Sequence, residues 1–338
     1  MRFFSFYCLL ILLSSCVKDT PIVNSQTAVL SSNGVYIVGE GNFNFGNSTI
    51  SYYNIGDQKV QEDVYRSANN SALGDVAQSM VLFNGKAYVV INNSGAIKVL
   101  DTATAKELKH IDGFTSPRCF LPLGNGKAYV SDLYANAISV VDLNSSSIVG
   151  TIACAGWTEE MALCAGKVFV CNLKKTQLYI VDISTDKLVD SIAIGCGASS
   201  LQEDKNGKLW VLSSGDKNVA AQLQRINPLT EVVEAVFVFE SGSPQHLKTN
   251  GSRDSLYYLN NGVYAIAVSA DALPKTPMIS AGNSIFYGLG IDPQSGDIYV
   301  SDAMDYVQKS TIYRYNSKGN LRHSFKSGIN SNSFCFKQ

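Results

Sequence analysis

The chain is predicted to be an all-β protein, a seven-bladed β-propeller of four-stranded blades. Three observations carry this: a recurring aromatic strand, period-two patterning around it, and two chain ends that complete each other. The phrases NGVYIV, NGKAYVV, NGKAYVS, AGKVFVC, NGKLWVL, RDSLYYL and SGDIYVS recur along the chain. Their aromatics are Tyr36, Tyr88, Tyr129, Phe169, Trp210, Tyr257 and Tyr299. They are spaced by roughly 40 to 50 residues, the length of a propeller blade.

Each repeat resolves into four strands. In the second, 79–83 is a first strand, 84–86 a turn, 87–91 the aromatic strand, 96–100 a third strand, and 107–111 a fourth. Alternate residues in a strand share a face, and apolar residues here alternate with polar ones. The segments AISVVDLNSSSIVGTI and QLYIVDISTDKLVDSI repeat the plan. No sustained 3.6-residue apolar period appears in the mature chain, so helix is expected to be minor. The first repeat lacks the strand that precedes its aromatic strand. The segment SFCFK at 333–337 has that strand's alternation and no partner after it. Unpaired edges are a liability that ring closure removes, so the C-terminal strand is expected to complete the first blade beside 35–38.

Composition fits one large domain, with 46% hydrophobic and 16% charged residues. A formal net charge of −1 offers no basic surface for nucleic acid. The expected organisation is an N-terminal signal segment, a linker, and the propeller over 34–338. Arg2 precedes an apolar run at 3–13 that is too short to span a bilayer as a helix but suits a signal peptide.

Of eight cysteines, Cys8 falls in the signal segment and none forms a C-x-x-C pair. Cys119, Cys164 and Cys335 fall in first strands and are expected as buried thiols. An oxidising compartment would permit a Cys154–Cys196 bridge. Asp101, Asp142 and Asp182 end third strands in VLD, VVD and IVD, where a carboxylate can bond local N–H groups of a turn. No compact Asp-rich loop suggests calcium, and no metal or cofactor is expected.

Function is expected on one face of the disc. That face carries the links between blades and the second-to-third loops, which include GEGNFNFGNS, SANNSALGDVAQS, SDLYANA, CAGWTEE and SDAMDYVQKS. Long loops on a rigid scaffold are where binding residues concentrate. Gln78, Arg118, Glu159 or Glu160, Ser199, Gln245 with His246, and Tyr287 precede innermost strands at equivalent points, and are the candidates to line the channel mouth. Asn42, Phe43, Phe45, Tyr134 and Tyr306 extend the candidate surface.

Two readings stand for Arg118: a clamp for phosphate or carboxylate, or a salt bridge to Glu159 or Glu160. Two stand for Trp157: a stacking platform for ligand, or packing between blades. Lys174 and Lys175 are read as a solvated hairpin tip. The seven repeated aromatics, equivalent in every blade, are read as core between blades. Of three histidines only His246 lies near the mouth, without a nucleophile partner. A non-enzyme is therefore expected.

The repeats GKAYVSDLYANAISVVDLNSSSIVGTI and GKVFVCNLKKTQLYIVDISTDKLVDSI resemble YVTN or YncE-like propeller repeats of bacterial envelope proteins, and the likeness spans nearly all the mature chain. Leu13-Ser14-Ser15-Cys16 resembles a lipobox, which implies a signal peptide over 1–15, cleavage before Cys16, its acylation, and a lipidated anchor and linker over 16–33, and Lys18-Asp19 is similar to the export tag of Bacteroidetes surface lipoproteins. GEGNFNFGNSTISYYN with ANNSALGDVAQSM resembles the opening of a Bacteroidetes lipoprotein group that includes the BtuG-type surface cobalamin-binding propellers. That resemblance implies an outer-membrane, lipid-anchored protein exposed at the cell surface, a corrinoid ligand, and a TonB-dependent transporter as partner. Beside it stand a glycan or other nutrient as ligand, a protein-interaction platform, and a hydrolase or lyase using Glu159, Glu160 and His246.

Overall fold

The computed structural model describes residues 29–338, which form seven four-stranded antiparallel sheets. The innermost strands of blades 2 to 7 are Ala77–Phe83, Pro117–Pro122, Thr158–Cys164, Ala198–Glu203, Gln245–Thr249 and Phe286–Ile291. Blade 1 takes its innermost strand from the end of the chain. Ser331–Lys337 pairs antiparallel with Gly34–Gly39, placing Val35 opposite Phe336 and Ile37 opposite Phe334, so the ring closes as expected. The segment 1–15 expected to be a signal peptide, Cys16 and the linker up to residue 28 lie outside the described residues.

The aromatic strands are second in each blade, and the pleat explains why they repeat. Each sheet is covered on both faces by its neighbours, so alternate residues go to alternate blades. There are seven apolar clusters, one at each junction between blades, and each holds one of the seven aromatics. At the closing junction Tyr299 of blade 7 meets Val35, Ile37 and Tyr53 of blade 1, with Phe334 and Phe336 packed against them. At the junction of blades 5 and 6, fully buried Trp210 stacks on Phe237, and its indole N–H donates to Asp204 Oδ2 at 2.8 Å.

The turns use local carboxylates as expected. Asp101 Oδ1 accepts from the Ala103 and Thr104 N–H groups, Asp142 Oδ1 from Asn144 and Ser145, and Asp182 Oδ1 from Ser184 and Thr185. Blades 6 and 1 depart from the plan in their outer strands: that of blade 6 is only Ile279–Ser280, and blade 1 departs further. Its outer strand is only Val60–Gln61, and the six-residue helix Val64–Asn69 follows, capped by Asp63 and burying Val64 and Tyr65 against blades 1 and 2.

All six described cysteines are free, so the bridge that an oxidising compartment would permit between Cys154 and Cys196 is not formed. Burial raises the thiol pKa of Cys119, Cys164, Cys171 and Cys335, which keeps them protonated.

Candidate functional site

Every innermost strand breaks its ladder at the same end, the one entered from the links between blades. Register shifts fall between Ala77 and Ser79, Pro117 and Phe120, Thr158 and Met161, Ala198 and Ser200, Gln245 and Lys248, and Phe286 and Leu289. In blade 1 the extra residue is Asn332. A bulge re-aims side chains that regular pleating would direct between blades. The residues so placed, Gln78, Arg118, Glu159, Ser199, His246, Tyr287 and Asn332, all line the mouth of a central channel of about 680 Å³. Below them the walls turn apolar, with Val81, Leu121, Met161, Leu201, Leu289 and Phe334.

Side chains at the mouth are knitted into a belt. Tyr287 Oη donates to Glu40 Oε2 at 2.6 Å, and Asn332 Nδ2 donates to Glu40 Oε1 at 2.7 Å and to the Gln78 carbonyl at 3.1 Å. Gln78 Oε1 accepts from Arg118 Nη1, while Arg118 Nε donates to both Glu159 oxygens at 2.9 and 3.1 Å. Glu160 turns the other way. It accepts from the Leu201 N–H at 3.2 Å and from Lys248 Nζ at 2.9 Å, reaching across blade 5 to blade 6.

Electrostatics follow from burial in this belt. Burial raises the Glu159 carboxyl pKa, with Arg118 opposing, and raises Glu40, with Tyr287, Arg118 and Asn332 opposing. Burial, and next the charge of Lys248, push His246 down to about 3, so it is neutral. Burial lowers Lys248, but Glu160 more than offsets this and its pKa is raised. Arg118 is held charged in the same way by Glu159.

The salt bridge read for Arg118 is present, with its guanidinium bonded to Glu159 and Gln78. Glu159 and Glu160 bond different partners, Arg118 and Lys248. Among the described residues no group of three or more His, Cys, Asp or Glu is arranged to hold a metal ion.

Of the residues singled out from sequence, Gln78, Arg118, Glu159, Glu160, Ser199, Gln245, His246 and Tyr287 meet at the channel. Asn42, Phe43, Tyr134, Trp157 and Tyr306 do not line it and stand on the surrounding loops. Trp157 is half-buried, with Tyr134 edge-on at 5.5 Å. Lys174 is exposed at its hairpin tip as expected, and its Nζ also lies 4.0 Å from the Trp157 ring centre. Across the ring, Asn42 Nδ2 donates to the Tyr306 carbonyl at 2.7 Å, Tyr306 meets Tyr287 edge-on at 5.9 Å, and Phe43 and Phe45 are 64% and 75% exposed.

Three belt members were not anticipated. Asn332 and Lys248 belong to innermost strands, and aligning the SFCFK strand with the other first strands would have found Asn332 at the bulge. Glu40 comes from a second-to-third loop and gave no such signal. It is placed by main-chain bonds, Glu40 N–H to the Asn330 carbonyl at 3.1 Å and Gly41 N–H to the Ile329 carbonyl at 3.1 Å. Gly41 sits at φ 74°, and a Cβ there would meet Asn47 Oδ1 at 2.3 Å.

Solved structures share this fold at low identity. A quinonprotein alcohol dehydrogenase-like protein from Bacteroides thetaiotaomicron is similar at 17% identity and TM-score 0.74, over 91% of this chain and 79% of that one. A protein provisionally assigned as a 6-phosphogluconolactonase from Bacteroides fragilis is similar at 11% identity and TM-score 0.70, over 91% and 99%. Hydrazine synthase from Kuenenia stuttgartiensis is similar at 13% identity and TM-score 0.65, over 76% and 88%. At these identities the likeness is one of fold alone, and their chemistry does not transfer. No curated protein matches the chain. A family model does, over residues 33–334, and the chain belongs to that family, described as a domain of unknown function, DUF5074.

Proposed function

We propose that the protein is a non-catalytic ligand-capture propeller that binds a small molecule at the loop-face mouth of its channel. The observation that carries this is the ring of bulges, which directs a polar side chain from every blade to one opening. Its charged groups are mostly spent on one another, which suits a shaped, polar binding surface better than acid–base chemistry. The ligand class we propose is a corrinoid, on the resemblance of the GEGNFNFGNS opening. The loop aromatics fit it. Trp157 with Tyr134 stands at blades 3 and 4, and Tyr306 with Phe43 at blades 7 and 1, on opposite sides of the ring. A broad ligand with amide-bearing edges can lie across the mouth between them, where a narrow one would reach only one side. Cys16 acylation and hand-over to a TonB-dependent transporter belong to the same proposal.

The test is direct. Protein at submicromolar concentration is mixed with cyanocobalamin and passed through gel filtration. Retained red colour, weakened at least about tenfold in affinity by Trp157→Ala with an unchanged melting curve, is the expected result. Complete loss of colour from the wild-type protein removes the corrinoid.

A further inference from the structure

The charges at the mouth do not balance. Glu159 is matched by Arg118 and Glu160 by Lys248, each pair within 2.9 Å. Glu40 lines the same channel and has no salt-bridge partner among the described residues; its side-chain bonds come from the Tyr287 hydroxyl and the Asn332 amide. Each carboxylate oxygen can accept two hydrogen bonds, so each Glu40 oxygen has one acceptor site left after these bonds are made. His246, the other titratable group of the rim, is neutral and supplies no charge. The carboxylate is also held in place: its main chain is clamped to Asn330, and Ser48 Oγ donates to its carbonyl at 2.6 Å.

We propose that Glu40 is the polar subsite of the mouth, and that it recognises a nitrogen donor on the ligand, an ammonium, amidinium or primary amide, while the mouth rejects anions. An N–H donor fills the open acceptor positions, and a positive charge balances the third carboxylate. Burial that raises the Glu40 pKa also makes the missing partner worth more, because a desolvated carboxylate gains more from a charged donor than one in water. A phosphate or carboxylate meets the reverse situation. Both cations of the mouth are already committed, and the uncompensated charge is negative.

This deepens the reading of the mouth as a ligand site and does not depend on the ligand being a corrinoid. Benzylammonium, benzamide and benzoate serve as probes of equal size and different charge. The full chain carrying carboxyl-labelled glutamate is titrated with each, following the Glu40 side-chain resonance, identified by its absence in Glu40→Gln. Benzylammonium is expected to bind tightest and benzamide next, both moving that resonance, and benzoate at least about tenfold more weakly than benzylammonium. Glu40→Gln is expected to weaken benzylammonium at least about tenfold. If that variant folds poorly, Glu40→Asp, which also removes the labelled glutamate resonance, makes the assignment, and the wild-type shift is read from it. Benzoate binding as well as benzylammonium, or no movement of the Glu40 signal with either nitrogen probe, overturns the proposal. If nitrogen probes bind at Glu40 while cyanocobalamin is not retained, the subsite stands and the corrinoid falls.

Discussion

Tyr36 stands directly opposite Cys335 in the ladder that closes the ring, so the first aromatic strand of the chain is paired with its last strand. Both pack against the cluster between blades 1 and 2, and Cys335 Sγ lies 2.7 Å from the Met80 carbonyl. The closing strand therefore holds two junctions, since Phe334 and Phe336 on its other face pack against Tyr299 of blade 7.

Deleting residues 331–338 is expected to abolish cooperative unfolding, because it opens two of seven junctions and leaves an exposed apolar edge. A sharp thermal transition in the truncated chain would show that closure is dispensable. A milder probe is Gly290→Ala. Its Cβ would lie 2.6 Å from Phe334 Cβ, so the closing strand must shift, and the expected cost is about 1–3 kcal/mol in urea denaturation. Gly150→Ala is the control. Its nearest neighbour is Val140 Cβ at 3.9 Å, and no loss is expected.

Trp210→Ala should be among the most damaging single changes, at about 3–5 kcal/mol, since it empties a fully buried indole site between blades 5 and 6. Trp210→Phe keeps much of the volume but removes the donor to Asp204 Oδ2, so about 1–3 kcal/mol is expected. Denaturant midpoints distinguish the two. No loss in Trp210→Phe would mean that the hydrogen bond contributes nothing; equal losses would mean that the phenyl ring restores nothing.

The architecture was legible because it is written in repetition. One tyrosine says little, but Tyr36, Tyr88 and Tyr129 at equivalent strand positions reveal both period and junction. The mouth was legible for a similar reason: Gln78, Arg118, Glu159 and Tyr287 are equivalent in successive blades. What periodicity does not encode is pairing across the channel. Whether Arg118 faces a ligand or Glu159, and whether Glu160 reaches Lys248, depends on how bulges rotate side chains in three dimensions. Glu40 was hidden because it enters from a loop. The contact of Lys174 with Trp157 was not legible either, because it depends on how the loop before the third strand of blade 4 folds over the link preceding that blade.

The neutral His246 gives the protein a calculable acid sensitivity. Its folded pKa, pushed down to about 3 by burial and then Lys248, lies below the unfolded value of about 6.5. Between those values the unfolded chain binds a proton that the native protein does not. Stability is therefore full above pH about 6.5 and falls as pH drops through that window. Glu40 and Glu159 act in the opposite sense, because burial raises them and the native state takes up their protons first. His246 sits at φ 56°, a backbone region that asparagine tolerates, so His246→Asn is the informative variant. It is expected to flatten the acid limb of urea midpoint against pH. A limb as steep as that of the wild type would place the acid sensitivity elsewhere.

The Arg118–Glu159 pair tests whether the belt holds the mouth together. Glu159 is only 6% exposed, and removing its cation leaves a buried carboxylate with the Glu40 charge also nearby. Arg118→Met is expected to cost about 3–5 kcal/mol, most of it the penalty of an uncompensated buried charge rather than the worth of the pair. Adding Glu159→Leu removes that charge, so the double variant should recover at least about 2 kcal/mol. Gln78 distinguishes this from simple repacking. Its Oε1 accepts from Arg118 in the wild type and loses that donor in both variants, so recovery in the double variant cannot come from Gln78. Additive losses in the cycle would mean that Arg118 and Glu159 act independently.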